Sequence, residues 1–285
     1  MNSEDSRPIG VFDSGIGGLT VLKEIWKQLP DENTIYFGDS GRMPYGTKSH
    51  DTIINYALQI TRFLESKQVK MIVIACNSAC AHSFEAVSRY AKVPVIEVIT
   101  SGAGMAAAQT RNGQIGVIAT RATVESNVYK KAIEKQGHDL FNQKVNSDAL
   151  SKLEIYQTAC PLFVMLAEEG WWNNDVAKLT AETYLQPLRE KKIDTLLLGC
   201  THYPLLADAI QHVIGKDTVL INAGESVAER VKNFLQKENM KAITGNIPKR
   251  EFYTSDDPLM FESQSAIFLG SGHPKGTQKI LIENY

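Results

Sequence analysis

Leu196-Leu197-Leu198-Gly199-Cys200-Thr201-His202-Tyr203-Pro204 is the stretch that most restricts what this chain can become. Consecutive leucines leave no polar face, so they read as a strand buried on both sides, the kind parallel sheets use. Gly199 breaks the strand, Thr201 is a cap residue, and Leu205 to Val213 has helical spacing. A strand running directly into a helix belongs to an α/β architecture. The Cys200 thiol then falls at the carboxyl edge of the sheet, where open α/β sheets bind ligands. The positive end of the helix favours thiolate over thiol there.

The same device occurs earlier. Ile72-Val73-Ile74-Ala75-Cys76-Asn77-Ser78-Ala79 is again apolar strand, small residue, cysteine, cap residues and helix. Laid over the first, it puts Cys76 on Cys200, Asn77 on Thr201 and Ser78 on His202. Two equivalent thiols on equivalent loops point to two halves facing one site.

The pattern extends along the chain. Strands are expected at Pro8–Phe12, Thr34–Phe37, Pro94–Val98, Ile115–Ala119, Val219–Asn222 and Arg250–Thr254, with a further one at Leu140–Val145. Helical spacing fills the intervals, including Leu19 to Trp26, Ile53 to Leu64, Gly102 to Gln109, Cys160 to Glu169, Val176 to Lys191, Ala223 to Gln236 and Leu259 to Phe268. A helix after Thr123 is expected to end before Gly137. Ile9-Gly10-Val11 and Ile115-Gly116-Val117 open matching strands. The expected fold is α/β: two pseudo-symmetric domains, each a mostly parallel sheet flanked by helices, with the active site between them. Residues 7–98 plus 208–269 form the first domain, residues 99–207 the second, inserted in the first. Residues 270–285, with Gly272, Pro274 and Gly276, read as a loose tail.

The chain has 285 residues and a formal net charge of −2, with no basic stripe, which argues against a nucleic-acid partner. The N-terminal residues are polar and acidic, and no apolar run is long enough to span a membrane. A cytoplasmic protein is expected, with its four cysteines reduced.

A pseudo-symmetric pair of acid/base groups suits a nearly symmetric reaction. Inverting a carbon beside a carboxylate is one: a base removes the α-proton from one face and an acid returns a proton to the other. A thiol, with an ordinary pKa of about 8.5, can play both parts. His202 can exchange a proton with Cys200, and Asp13, closing the first strand, can reach Cys76 across adjacent strand ends. Cys80 and Cys160 fall within helical patterns and read as buried apolar fillers. Cys76, Cys80 and His82 do not have zinc-finger spacing, so no metal is expected. The absence of a Cys-x-x-Cys argues against redox chemistry. Asp13-Ser14-Gly15-Ile16-Gly17-Gly18 lacks dinucleotide-binding spacing and reads as a tight turn that lets a ligand approach backbone N–H groups. Asn77, Ser78 and Thr201 read as helix caps.

These motifs resemble those of the glutamate racemases of the aspartate/glutamate racemase superfamily. The resemblance runs from Ile9 to about Phe268. It is carried by Asp13-Ser14-Gly15-Ile16-Gly17-Gly18-Leu19, Gly38-Asp39-Ser40 with Pro44-Tyr45-Gly46, Ala75-Cys76-Asn77-Ser78-Ala79 and Gly199-Cys200-Thr201-His202-Tyr203-Pro204. It implies a cofactor-independent racemase interconverting L- and D-glutamate and supplying D-glutamate for peptidoglycan, with a homodimer as the expected assembly. By the match, Cys76 takes the proton from the D-isomer and Cys200 from the L-isomer. Asp13 and His202 assist them. Asp13, Ser14, Tyr45, Gly46, Asn77, Ser78, Thr201 and His202 hold substrate, and Thr120 and Thr123 look like a further carboxylate contact. Ser78 stands where the family usually has threonine, and Met165 where proline is common. An aspartate racemase and a non-catalytic dicarboxylate-binding protein are the alternatives.

Overall fold

The computed structural model describes residues 5–143, 153–272 and 274–285. The chain divides into two compact units, Met1–Val98 with Gly224–Tyr285, and Ile99–Ala223.

The first unit begins β1 (Ile9–Asp13), α1 (Leu19–Gln28), β2 (Thr34–Gly38), α2 (His50–Ser66), β3 (Met71–Ile74), α3 (Asn77–Tyr90) and β4 (Val95–Glu97). The chain then crosses into the second unit through α4 (Val98–Gln109). There follow β5 (Gln114–Ala119), α5 (Arg121–Glu125), α6 (Val128–Gln143), β6 (Glu154–Ala159), α7 (Leu162–Glu168), α8 (Asp175–Glu190), β7 (Thr195–Gly199), α9 (Ala207–Ile214) and β8 (Val219–Asn222). It returns through α10 (Ala223–Lys237), β9 (Arg250–Thr254), α11 (Pro258–Leu269) and β10 (Gln278–Lys279).

Both sheets are parallel throughout. Their orders are β10-β9-β2-β1-β3-β4 and β6-β5-β7-β8. The four-strand order β2-β1-β3-β4 thus recurs as β6-β5-β7-β8, which makes β3 and β7, the two strands that lead into cysteines, equivalent in topology. Every residue of β1, β2, β3 and β7 is buried, as continuous apolar runs require.

The second crossing lies at Ala223 rather than near Ala207. β8 pairs with β7, Leu198 opposite Asn222, so residues 208–223 complete the second sheet. Helical spacing cannot show which sheet a following strand joins. The strand expected at Leu140–Val145 is displaced: residues through Gln143 belong to α6, and 144–145 lie outside the described residues. α6 also runs through Gly137, since one glycine costs a helix only about 1 kcal/mol. The strand beside β5 is instead β6, a half-buried edge strand whose Glu-Ile-Tyr-Gln-Thr pattern has little apolar signal. The tail is not loose. β10 pairs with β9, Ile282 is buried, and the Tyr285 ring meets Phe63 edge-on at 5.3 Å. Among the described residues no helix is long and apolar enough to cross a membrane.

Candidate active site

In the first unit the carboxyl edges of β1, β2 and β3 gather one set of functional groups. Asp13 closes β1 and accepts the Gly15 N–H at 3.0 Å on Oδ2. The turn after it packs so closely that a Cβ on Gly18 would lie 2.6 Å from Asp13 Cβ and 2.9 Å from the Tyr36 hydroxyl. Tyr36 fixes the same turn by donating to the Gly15 carbonyl at 2.8 Å. On the adjacent strand, the Ala75 N–H donates to the Phe12 carbonyl at 2.9 Å, which sets the next residue, Cys76, beside Asp13 and Ser14. Cys76 is itself the cap of α3, its Sγ accepting the Ala79 N–H at 3.4 Å. Asn77 and Ser78 are therefore the first helical residues, not the caps, because the thiol occupies the capping position.

The Cys76 thiol donates to Ser14 Oγ at 3.3 Å. Burial, and then the nearby negative charge of Asp13, push this thiol up to about 12, against opposing hydrogen bonds from Ser14 and Ala79. Cys76 thus holds its proton in the resting protein. Tyr45 is buried and donates its hydroxyl to Asp39 Oδ2. Burial and the Asp39 carboxylate keep that phenol well above its ordinary range, so it stays a donor. Arg42 binds both Asp39 oxygens through Nε at 3.0 and 2.8 Å and stacks 3.9 Å over the Tyr56 ring. Gly46 lies in the same short 3-10 turn as Tyr45. Asp39 and Arg42 hold Tyr45 in place. Asp39 was legible only as part of a motif, and Arg42 gave no signal.

In the second unit the corresponding edge belongs to β5 and β7. A Cβ on Gly199 would meet Tyr129 at 2.8 Å and the Ile118 carbonyl at 2.9 Å, so only glycine lets the strand end there. Cys200 follows, its Sγ 3.7 Å from His202 Nδ1. The other ring nitrogen, Nε2, faces Glu168 Oε1 at 3.0 Å. Burial opposes a charged imidazole, but the bond to Cys200 and the bond to Glu168 outweigh it and raise His202 to about 10. Thr201 Oγ1 lies 3.5 Å from the same Nδ1; Thr201 is not a helix cap, because a 3-10 turn, Tyr203–Leu206, with His202 at its cap position comes before α9. Beneath them Tyr203 donates to the Cys160 carbonyl at 2.9 Å and packs edge-on against Phe163 at 5.4 Å. Thr120 and Thr123 pair through their hydroxyls at 3.0 Å just after β5.

Glu168 went unread in the sequence. It ends α7, 34 residues before His202, and nothing local separates it from Glu169. Cys160 is buried as expected but lies just ahead of α7 rather than within it; its thiol donates to the Thr158 carbonyl at 3.7 Å, and burial pushes it up. Cys80 is buried too, but its thiol donates to Glu97 Oε2 at 2.9 Å.

Each unit thus presents a buried thiol at a strand's carboxyl end, beside an acid/base partner. The sequence profile of the Asp/Glu/hydantoin racemase family matches residues 9–231. A glutamate racemase of Geobacter metallireducens is 47% identical over 264 residues, 93% of each chain. One from Syntrophus aciditrophicus is 42% identical over 99% of each. Among solved structures, the glutamate racemase of Francisella tularensis in complex with D-glutamate superposes with a TM-score of 0.86 at 38% identity, covering 99% of this chain and 100% of that one. The chain belongs to the Asp/Glu/hydantoin racemase family and is an amino-acid racemase.

Proposed function

We propose that this protein interconverts L- and D-glutamate by a cofactor-independent, two-base mechanism with Cys76 and Cys200 as the bases. The observation that carries this is the recurrence of one strand-to-thiol junction in two topologically equivalent strands, with His202 beside the Cys200 thiol and the Asp13 charge near the Cys76 thiol. With L-glutamate, Cys200 removes the α-proton, helped by His202, which can take up or return a proton at its sulfur. The α-carbon becomes planar. The Cys76 thiol then donates its proton to the opposite face, giving D-glutamate and leaving Cys76 as thiolate beside Asp13. The reverse direction swaps the roles. N–H groups in the first turn of α3, together with Ser14, Tyr45, Gly46, Asn77, Ser78, Thr201 and His202, are the proposed contacts for the carboxylates and ammonium.

Glutamate rather than aspartate is proposed because the relatives named above are glutamate racemases. The test is L-glutamate in heavy water: optical rotation should decay to zero while deuterium enters the α-position. Retained rotation and an undiluted α-proton would sink the proposal, and faster turnover of aspartate would reassign the substrate. A cytoplasmic homodimer supplying D-glutamate for peptidoglycan is the proposed setting; light scattering of the purified protein tests the dimer.

The high proton affinity of Cys76 has a kinetic consequence. The resting protein favours the form with Cys76 as thiol, which is the form that accepts L-glutamate. D-glutamate needs the form in which that proton has moved to Cys200, so its KM should exceed that of L-glutamate several-fold. Enantiomers have equal free energies, so kcat/KM must be the same in both directions and kcat must be higher for D-glutamate by the same ratio. Steady-state assays with each enantiomer check this. A KM for D-glutamate equal to or below that for L-glutamate contradicts it.

Glu168→Gln removes a charge that keeps His202 protonated up to about 10. If the imidazolium is the form in use, activity falls as pH rises through that value, and the variant brings the fall to lower pH. The alkaline limb of kcat/KM should move down by at least about one unit, with a loss that grows to about tenfold above pH 10 and little change at pH 8. An alkaline limb that stays in place would show that Glu168 does not act through His202.

A further inference from the structure

Apart from the thiol sites, two histidines meet on the first unit. His50 opens α2 just after its cap residue Ser49, and His82 lies on α3. Their Nδ1 atoms are 3.3 Å apart, with ring centroids separated by 5.5 Å and planes inclined at 77°. His50 is exposed and His82 half-buried, so the pair is reachable from solvent.

We propose that His50 and His82 form a two-histidine site for a borderline divalent transition-metal ion such as Ni²⁺, Zn²⁺ or Cu²⁺. The first ground is distance. An ion at about 2.0–2.1 Å from two imidazole nitrogens holds them about 3.3–3.4 Å apart in the tetrahedral geometry of Zn²⁺ and about 2.8–3.0 Å apart as neighbours in the square or octahedral geometry of Cu²⁺ and Ni²⁺; the 3.3 Å seen here matches the first and reaches the second by a small rotation of the exposed His50 ring. The second is chemistry. A metal ligand must present a free ring lone pair, and two Nδ1 atoms facing each other at this distance cannot both carry hydrogen. At least one lone pair already points into the shared space.

Among the described residues no group of three or more His, Cys, Asp or Glu side chains is placed to hold a metal. The site therefore has two protein ligands, and water completes the shell. Such a site exchanges its ion, and it prefers metals that take imidazole over Mg²⁺ or Ca²⁺. Spacing in the sequence set His82 beside Cys76 and Cys80. The fold joins it instead to a histidine 32 residues away. A bound ion would brace the first turn of α2 against α3, the helix that begins directly after Cys76.

The test is calorimetric titration of the full-length protein with NiCl₂ in a non-chelating buffer, comparing wild type with His50→Gln and His82→Asn. Ni²⁺ is chosen over Cu²⁺ and Zn²⁺ because it competes less well for thiolates. Wild type should bind with micromolar to tens-of-micromolar affinity, and either substitution should weaken it at least tenfold. MgCl₂ should give no heat. Saturating Ni²⁺ should raise the melting temperature of wild type and leave both variants unchanged. His50 is exposed, so His50→Gln keeps the comparison valid even if His82→Asn folds poorly. Equal Ni²⁺ affinity in wild type and His50→Gln, or no binding to wild type, would reduce the pair to two hydrogen-bonded imidazoles and overturn the proposal.

Discussion

Alanine at either Cys76 or Cys200 should lower racemisation by about a thousandfold to ten-thousandfold in both directions, the scale of a lost general acid or base. Each direction needs one thiol as base and the other as acid, so neither variant can complete a turnover. Half of the reaction survives, however. Cys200→Ala keeps the base for D-glutamate, so in heavy water it should exchange the α-proton of D-glutamate slowly without changing its rotation, and leave L-glutamate untouched. Cys76→Ala should show the mirror image. Mass spectrometry of the recovered amino acid reads the label, and polarimetry reads the configuration. Exchange of both enantiomers by one variant, or full racemisation by either, would show that a single group serves both faces. Alanine at Cys200 removes little volume, so loss of fold is not the expected cause; circular dichroism of each variant checks this.

The second large effect concerns stability. Lys70 is fully buried just before β3, and its ammonium sits 2.6 Å from Glu32 Oε2. It also donates to the Asp5 carbonyl at 2.8 Å and the Met240 carbonyl at 2.7 Å, so each of its protons has an acceptor. Glu32 in turn accepts the Ala242 N–H at 2.9 Å. The pair thus ties the N-terminal segment and the stretch after α10 to the amino edge of the first sheet. Lys70→Met leaves a buried carboxylate and two carbonyls without their cation, and should cost about 3–5 kcal/mol. Lys70→Met with Glu32→Leu should recover part of that loss, because no lone charge then remains inside. Urea unfolding followed by circular dichroism measures both. A loss below about 1 kcal/mol for Lys70→Met would mean that water reaches Glu32.

The thiol sites differ in how plainly the sequence announced them. Cys76 and Cys200 were legible because an apolar run, a small residue and a helical pattern are all local, and together they place a side chain at a strand's carboxyl edge. Asp13, Ser14 and His202 were legible for the same reason, being within a residue or two of such junctions. Tyr45 was legible as a loop residue. The hydroxyl bond to Asp39 was not, and Asp39 and Arg42 depend on a loop folding back on itself. Glu168 was invisible because its role exists only when α7 lies against the turn after β7. The same limit hid β6, which earns its place by pairing with β5 and not by its own hydrophobicity.

By itself the sequence determined the α/β class, the parallel character of the sheets and the two cysteine-bearing junctions. Those features follow from short-range periodicity and from where glycine and cap residues interrupt it. Tertiary structure alone decided that β8 completes the second sheet, that the C-terminal residues add β10 to the first, and that Lys70 is neutralised by Glu32. It also decided that Glu168 orients His202 and that His50 meets His82. Each of these is a contact between residues distant in the chain. Its free energy comes from burial or charge in the folded state, and no local pattern of residues encodes it.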